Sequence, residues 1–346
     1  MNITQESVFS SALRSFFVAV FAVFGILVGT IPVVILIGAL LSSPGHVANG
    51  APPIYLTDAN GNRDPLPSTA PVILQVDIHG VIGSKKLDAE LVRKQLQESR
   101  EGVLKDSRVK GILLSVNSPG GTVHDSDSIY RAVKLYKEKY NVPVYAYVDG
   151  LCASGGVYIA SAADKIYTSE VSLVGSIGVL MQFMNLSQTM EKVGVVSKTL
   201  IAGKNKDAMN PLRPWDAEED ENYQKLISFF YDKFTNIVTK SRPNLDKELL
   251  INEWGAKVFS AEEALEVGLI DGANLERSDV LTELVNASEI GEGEEYQVVQ
   301  MQTRHWLADV LEGQSPLLTG KISLEMDLPY KYRTELANRF LYLYAP

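Results

Sequence analysis

The chain has 346 residues, 46% of them hydrophobic and 21% charged, enough to bury one large core or two modest ones. A formal net charge of −10, with no block of like charge, argues against a nucleic-acid partner. The single cysteine, Cys152, excludes an internal disulfide and a cysteine-based metal site. The four histidines, His46, His79, His124 and His305, show no metal-ligand spacing.

Near the N-terminus, Phe16 to Leu41 runs for 26 residues without a charge. That exceeds the roughly 20 residues needed to cross a hydrocarbon core, so it predicts a transmembrane helix. A cleavable signal peptide has an apolar region of about 7–15 residues, and no small-residue cleavage site follows Leu41. The span therefore reads as an uncleaved, single-pass anchor. Arg14 precedes it and the next positive charge is Arg63. The positive-inside bias then places residues 1–15 in the cytoplasm and the bulk of the chain outside the inner or cell membrane. Residues 42–70 are rich in Pro, Gly, Asn and Asp without periodicity and read as a tether.

The globular part opens with an apolar strand at Val72–Ile78, followed by a turn at His79 and Gly80 and a helix within Leu87–Leu104. Gly111–Val116 reads as a strand buried on both faces. It runs into Asn117-Ser118-Pro119-Gly120-Gly121, a turn that helix and strand both avoid. Asp125–Tyr140 is amphipathic, with Ile129, Val133 and Tyr136 on one face. Val142–Val148 is another strand, and it leads into Ala153-Ser154-Gly155-Gly156 and a helical segment. Lys165–Thr168 and Ser176–Leu180 read as short strands, Leu186–Val193 as a helix and Val196–Leu200 as extended. Glu218–Ser241 forms a long aromatic helix, and Leu249–Trp254 and Ala261–Val267 form shorter ones. Val298–Pro346 shows little periodicity. Strands alternating with helices imply an α/β fold with largely parallel pairing.

Ser154 stands at a strand-to-helix turn followed by two glycines. The free N–H groups of a helix start suit an oxygen that develops negative charge, although a capping serine in a glycine-rich turn has the same outline. A serine nucleophile needs a base. His79 and His124 lie in the central region, with Asp77 and Asp125 near in sequence but in no obvious orienting arrangement. Ala202–Pro211 (AGKNKDAMNP) supplies two lysines in a glycine-led loop, which by composition is an ordinary polar loop. A lysine becomes a base only when its usual pKa of about 10.4 is brought well down by desolvation.

Four ordered motifs decide between these readings: NSPGG (Asn117–Gly121), ASGG (Ala153–Gly156), VGSIGV (Val174–Val179) and a G-x-x-K loop (Gly203–Lys206). Together they resemble the signal peptide peptidase A family of membrane-anchored serine proteases, and the single span makes the chain most similar to its SohB-type members. The resemblance covers roughly Val72 to Gly272. It implies a ClpP/crotonase-like fold of repeated β-β-α units at 71–275, after the transmembrane helix at 16–41 and before a C-terminal extension at 276–346. It also implies a Ser–Lys dyad, with Ser154 as nucleophile, Lys206 as general base and Ser176 positioning the lysine. The N–H groups of Gly121 and Gly155 would form the oxyanion hole. Cys152 and Val157 depart from the small or aromatic residues expected around ASGG, and Cys152 reads as a small buried residue. No metal or organic cofactor is implied. Peptide substrates, such as signal-peptide remnants or membrane-protein fragments, and a homo-oligomer are.

Two other classes share this outline. A crotonase-fold acyl-CoA enzyme would use the same paired N–H groups for a thioester enolate, but the anchor, the lysine loop and the lack of a positioned carboxylate pair count against it. An inactive protease-like scaffold would not need Ser154, Ser176 and Lys206 together.

Overall fold

The computed structural model describes residues 8–41, 53–101, 104–291, 293–301 and 339–344. The chain divides into two compact units, Met1–Asn49 and Gly50–Pro346. The first contains one helix, α1 (Val8–Leu41). Its stretch Leu13–Val33 is 21 residues long and apolar enough to cross a membrane; at 1.5 Å per residue it measures about 32 Å, close to the thickness of a hydrocarbon core. Arg14 is the only charge in that stretch.

The second unit takes its elements in this order: β1 (Ile54–Leu56), β2 (Val72–His79), α2 (Ala89–Glu98), β3 (Val109–Ser118), β4 (Gly120–Thr122), α3 (Val123–Tyr140), β5 (Val144–Ala153), α4 (Gly155–Ala160), β6 (Lys165–Thr168) and β7 (Leu173–Gly175). Next come α5 (Ser187–Lys192), α6 (Glu221–Ser241), α7 (Lys247–Leu249), a π-helical turn (Leu250–Trp254), β8 (Val258–Ser260), α8 (Ala261–Glu266), α9 (Arg277–Ala287), β9 (Gln297–Gln300) and β10 (Leu341–Leu343). Eight strands form one sheet in the order β1-β9-β2-β3-β5-β7-β8, with β6 also paired to β5. β9, β2, β3, β5, β6 and β7 pair in parallel, whereas β1 and β8 add antiparallel edges. The sheet is thus mixed α/β, with the parallel centre the alternating pattern implies.

The near-continuous apolar runs of β2, β3 and β5 follow from burial on both faces. Because side chains alternate across a strand, Leu74, Ile112 and Val144 face one core while Ile73, Leu113 and Tyr145 face another, which α9 closes with Val280, Leu281 and Leu284. Ile129, Val133 and Tyr136 bury their shared helical face as the spacing predicts. Helix α2 is shorter than its apolar pattern: Asp88 caps its start by accepting from the Leu91 N–H, and Ser99 ends it.

Two segments without periodicity still form strands. β1 comes from the stretch read as a tether and pairs with β9. β10 lies outside the main sheet and pairs antiparallel with β4, which includes the end of the NSPGG turn. The extended reading at Val196–Leu200 is met by exposed chain without a strand.

Candidate active site

Strand β5 ends at Ala153 and α4 starts at Gly155, leaving Ser154 alone at the corner with φ 54° and ψ −112°. A non-glycine residue in such a conformation costs on the order of 1–3 kcal/mol, so its surroundings must impose it. The Ser154 N–H donates to the Gly175 carbonyl at 2.8 Å, and the Ser154 carbonyl accepts from the Tyr158 N–H at 3.0 Å. One bond ties the corner to β7 and the other to α4. A sharp strand–turn–helix corner is also the setting in which α/β-hydrolases present a serine. The serine is only 1% exposed, and its Oγ has no hydrogen-bond partner among the described residues. A buried hydroxyl left in that state is expensive unless the site reserves it for a partner.

The NSPGG turn lies alongside. The Ser118 hydroxyl donates to the Gly80 carbonyl at 2.6 Å and accepts from the Gly120 N–H at 3.1 Å, which pins the turn. The β3–β5 register shifts between Val116 and Ser118, so the chain swings out of the sheet there. A Cβ on Gly121 would lie 1.9 Å from the Ile82 carbonyl oxygen. Only glycine fits. At Gly120, with φ +94°, a Cβ would lie 2.7 Å from the Gly155 nitrogen, so β4 and the start of α4 are in direct contact.

A backbone carbonyl of the chain itself occupies this junction. The β4–β10 register sets Tyr342 opposite Gly121. The Tyr342 carbonyl oxygen is 2.0 Å from where a Cβ on Gly120 would lie and 3.1 Å from the corresponding point on Gly155. Leu341 exchanges two backbone hydrogen bonds with Leu180, both 3.0 Å, so β10 runs between β4 and the segment after β7.

The structure brings four of the five expected site residues together: Ser154, Gly155, Gly121 and Ser176. Ser176 follows Gly175, the residue that holds the Ser154 N–H. It is 6% exposed at φ 56°, and its N–H donates to the Lys257 carbonyl at 2.8 Å. Lys206 is not brought in. It lies in an exposed turn where its N–H donates to the Gly203 carbonyl at 3.3 Å, and Lys204 beside it is exposed too. The turn is braced by Arg213, which reaches both Asp207 and Glu219 and holds their carboxyls below the usual range.

Neither histidine is placed to serve Ser154. His79 Nε2 is 3.0 Å from the Ser115 hydroxyl, and the exposed His124 lines a cavity of about 490 Å³ with Phe230, Lys233 and Phe340. The nearby carboxylates have structural duties. Asp77 accepts from Gln75 and Gln300, and Asp125 accepts from the Ala89 N–H and the Thr122 hydroxyl. Cys152 is fully buried and burial pushes its thiol up to about 12, so it carries no thiolate at neutral pH. Among the described residues no group of His, Cys, Asp and Glu could hold a metal ion.

Sequence comparison identifies what this corner belongs to. Residues 136–290 match the pattern of peptidase family S49. A Synechocystis protein named as a protease is 35% identical over 204 residues, which cover 59% of this chain and 70% of that protein. The chain belongs to peptidase family S49. An Enterococcus faecium protein named as a signal peptide peptidase SppA is 33% identical over 204 residues, 58% of this chain and 59% of its own length. The alignment with the chloroplastic serine protease SPPA of Arabidopsis thaliana, 31% identical over 182 residues, covers 52% of this chain and 26% of that protein. This chain therefore spans only part of the length of several relatives it matches. Among solved structures, a ClpP1 point mutant from Listeria monocytogenes aligns at 21% identity and TM-score 0.40, covering 60% of this chain and 94% of its own.

The aromatic cluster around Tyr342 escapes sequence reasoning. The segment that supplies it has no periodicity and lies far along the chain from Ser154. The only signal is the run of apolar and aromatic residues at Phe340–Tyr344.

Proposed function

We propose that this chain is a membrane-anchored serine endopeptidase with a Ser–Lys dyad, acting on peptides in or near the bilayer such as signal-peptide remnants or membrane-protein fragments. The observation that carries this reading is the Ser154 corner, where a buried, unpartnered hydroxyl sits at a strand-to-helix turn whose first helical residue, Gly155, packs against the NSPGG turn. Ser154 Oγ attacks the scissile carbonyl carbon while a neutral lysine takes its proton. The carbonyl oxygen becomes an oxyanion between the Gly121 and Gly155 N–H groups. The lysine then returns the proton to the leaving amine, and water releases the acyl-enzyme by the same steps in reverse.

Lys206 is the base in this scheme, with the Ser176 hydroxyl positioning its amine. Its exposure in an isolated chain supports a base delivered to Ser154 of a second copy. Met184, Leu186, Val193, Val196 and Leu200, in the same arm, also expose their apolar side chains. A homo-oligomer would cover them and desolvate the lysine together.

Labelling with a serine-directed phosphonate, followed by peptide mapping, tests the nucleophile. Ser154 should carry the label, and Ser154→Ala should lose both label and peptide turnover in detergent. Near-normal turnover by that variant would overturn the assignment. The charge bias around α1 supports an extracytoplasmic second unit. Protease added to intact spheroplasts should then reach it, and full protection until the membrane is opened would reverse the orientation.

A further inference from the structure

The expected oxyanion donor at Gly121 follows the least self-supporting residue of the site. Gly120, at φ +94°, has no Cβ to restrain it, and the close approach of the Gly155 nitrogen leaves no room for one. A trans peptide is planar, with its carbonyl and its N–H pointing in opposite directions. The direction of the Gly121 N–H is therefore set by what holds the Gly120 carbonyl, and by what holds the peptide plane entering Gly120. The Ile82 N–H holds the carbonyl, donating to it at 2.9 Å, which turns the Gly121 N–H away from Ile82. A side chain holds the entering plane: the Gly120 N–H donates to Ser118 Oγ at 3.1 Å.

The same hydroxyl ties the turn to the end of β2. While accepting from Gly120 it donates to the Gly80 carbonyl at 2.6 Å, so its donor and one acceptor site are both used. The Gly80 N–H in turn donates to the Asn117 carbonyl at 2.9 Å. Ser118 is fully buried. Pro119 after it restricts Ser118 to extended backbone and brings no N–H of its own. The hydroxyl thus joins two glycines, Gly80 at φ +80° and Gly120, at which the backbone imposes little by itself. Removing it takes away the partner of the buried Gly120 N–H and releases both glycines to rotate.

We propose that Ser118 is a positioning residue for peptide-bond cleavage: through Gly120 it aims the Gly121 N–H at the oxygen that turns negative. The inference rests on the peptidase reading above, since it takes that N–H as an oxyanion donor. Such a donor is worth most when its direction is fixed before the reaction. Aiming differs from fastening the fold in what its loss does. A lost fastening lowers the amount of folded chain and leaves each folded chain as fast as before. A lost aim leaves the chain folded and slows the chemical step, with binding of the peptide ground state nearly unchanged.

Two readouts on the full chain in detergent separate them: steady-state peptide turnover, and the rate and final extent of Ser154 labelling by the serine-directed phosphonate. Ser118→Ala should lower kcat by about 10- to 10²-fold at nearly unchanged KM, since misplacing a reacting group by about 1 Å costs up to about 10²-fold. Its labelling rate should fall in proportion, and its final extent should match wild type. Ser99→Ala is the control. That hydroxyl, at the end of α2, is also fully buried and makes two hydrogen bonds, to the Leu96 carbonyl at 2.6 Å and with the Tyr136 hydroxyl at 2.8 Å. It should keep the wild-type kcat. The double variant Ser118→Ala, Gly121→Ala should be no slower than Gly121→Ala, because an amide already displaced has no aim left to lose. A smaller labelled fraction with a wild-type rate per labelled chain, or losses that multiply in the double variant, would overturn the proposal. Ser154-dependent turnover that Ser118→Ala leaves unchanged would keep the peptidase and sink the positioning role. Slowed labelling of Ser118→Ala, in a chain whose wild type labels but cuts no peptide, would keep the positioning role and sink the peptidase reading. A wild type that neither labels nor cuts would overturn both.

Discussion

The Ser154 corner and the Lys206 loop are opposite kinds of structure. At the corner the backbone is held at several points: Ser154 by Gly175 and Tyr158, Gly120 by Ser118, and Gly121 against Ile82. In the loop, Gly203, Lys204, Asn205 and Lys206 are exposed, and a Cβ on Gly203 would meet nothing within 4 Å. An oxyanion site must be set before the reaction, because its value lies in dipoles that need no reorganisation. A lysine base needs only to arrive and be desolvated. On the proposed mechanism, one chain builds the half that has to be rigid and a second copy supplies the other half.

The largest expected effect tests that division directly. Lys206→Ala and Lys206→Arg should both fall to background peptide turnover, since a guanidinium stays protonated and cannot accept the serine proton. Lys204→Ala and His124→Ala should stay near wild type. Wild-type activity should rise with pH along one limb, because the base works only when neutral. Co-assembly of Ser154→Ala chains with Lys206→Ala chains should restore turnover that neither shows alone if the dyad forms between copies. Loss of activity in His124→Ala with survival in Lys206→Ala would discard the lysine altogether.

A smaller effect separates the two regions by their tolerance of one methyl group. Gly121→Ala would place a carbon 1.9 Å from the Ile82 carbonyl oxygen, so β4 must shift and the amide with it. Losing one oxyanion donor lowers kcat by about 10²–10³-fold, which stopped-flow or steady-state assays resolve easily. Gly203→Ala, at φ +104° but in open space, meets only backbone strain. It should leave kcat within a few-fold of wild type, and equal losses at the two sites would erase the contrast between them.

How much of this was legible beforehand follows the same line. The parallel centre of the sheet was readable because its strands are apolar on both faces, and the glycine turns because tight corners leave few residue choices. The Ser154 turn stood out for that reason, whereas Gly121, Gly155 and Ser176 were named from the family resemblance, and the structure sets all four near one another. Lys206 was equally visible as a motif, yet nothing local in its loop specifies a meeting with Ser154. β1, β9 and β10 were not legible at all. Each is three or four residues long, too short to display a period, and each gains its stability from a partner strand distant in sequence. Tyr342 belongs to this class, so its packing against Tyr158 and Phe234 could not be read from spacing.

The smallest expected effect concerns the strain stored at Ser154. Ser154 holds φ 54° and ψ −112° only because β7 and α4 fix both of its peptide groups. Ser154→Ala keeps a Cβ in that conformation, so it removes the chemistry and keeps the strain. Ser154→Gly removes both, at an entropic cost of roughly 0.5–1 kcal/mol in the unfolded chain against a relief of about 1–3 kcal/mol. The glycine variant should therefore be more stable than the alanine variant by about 1 kcal/mol, read as a higher midpoint in chemical denaturation of the detergent-solubilised protein. Both should be equally inactive. If the alanine variant proves the more stable of the two, the corner is not strained, and its geometry comes from the preference of the turn itself rather than from the two elements that grip it.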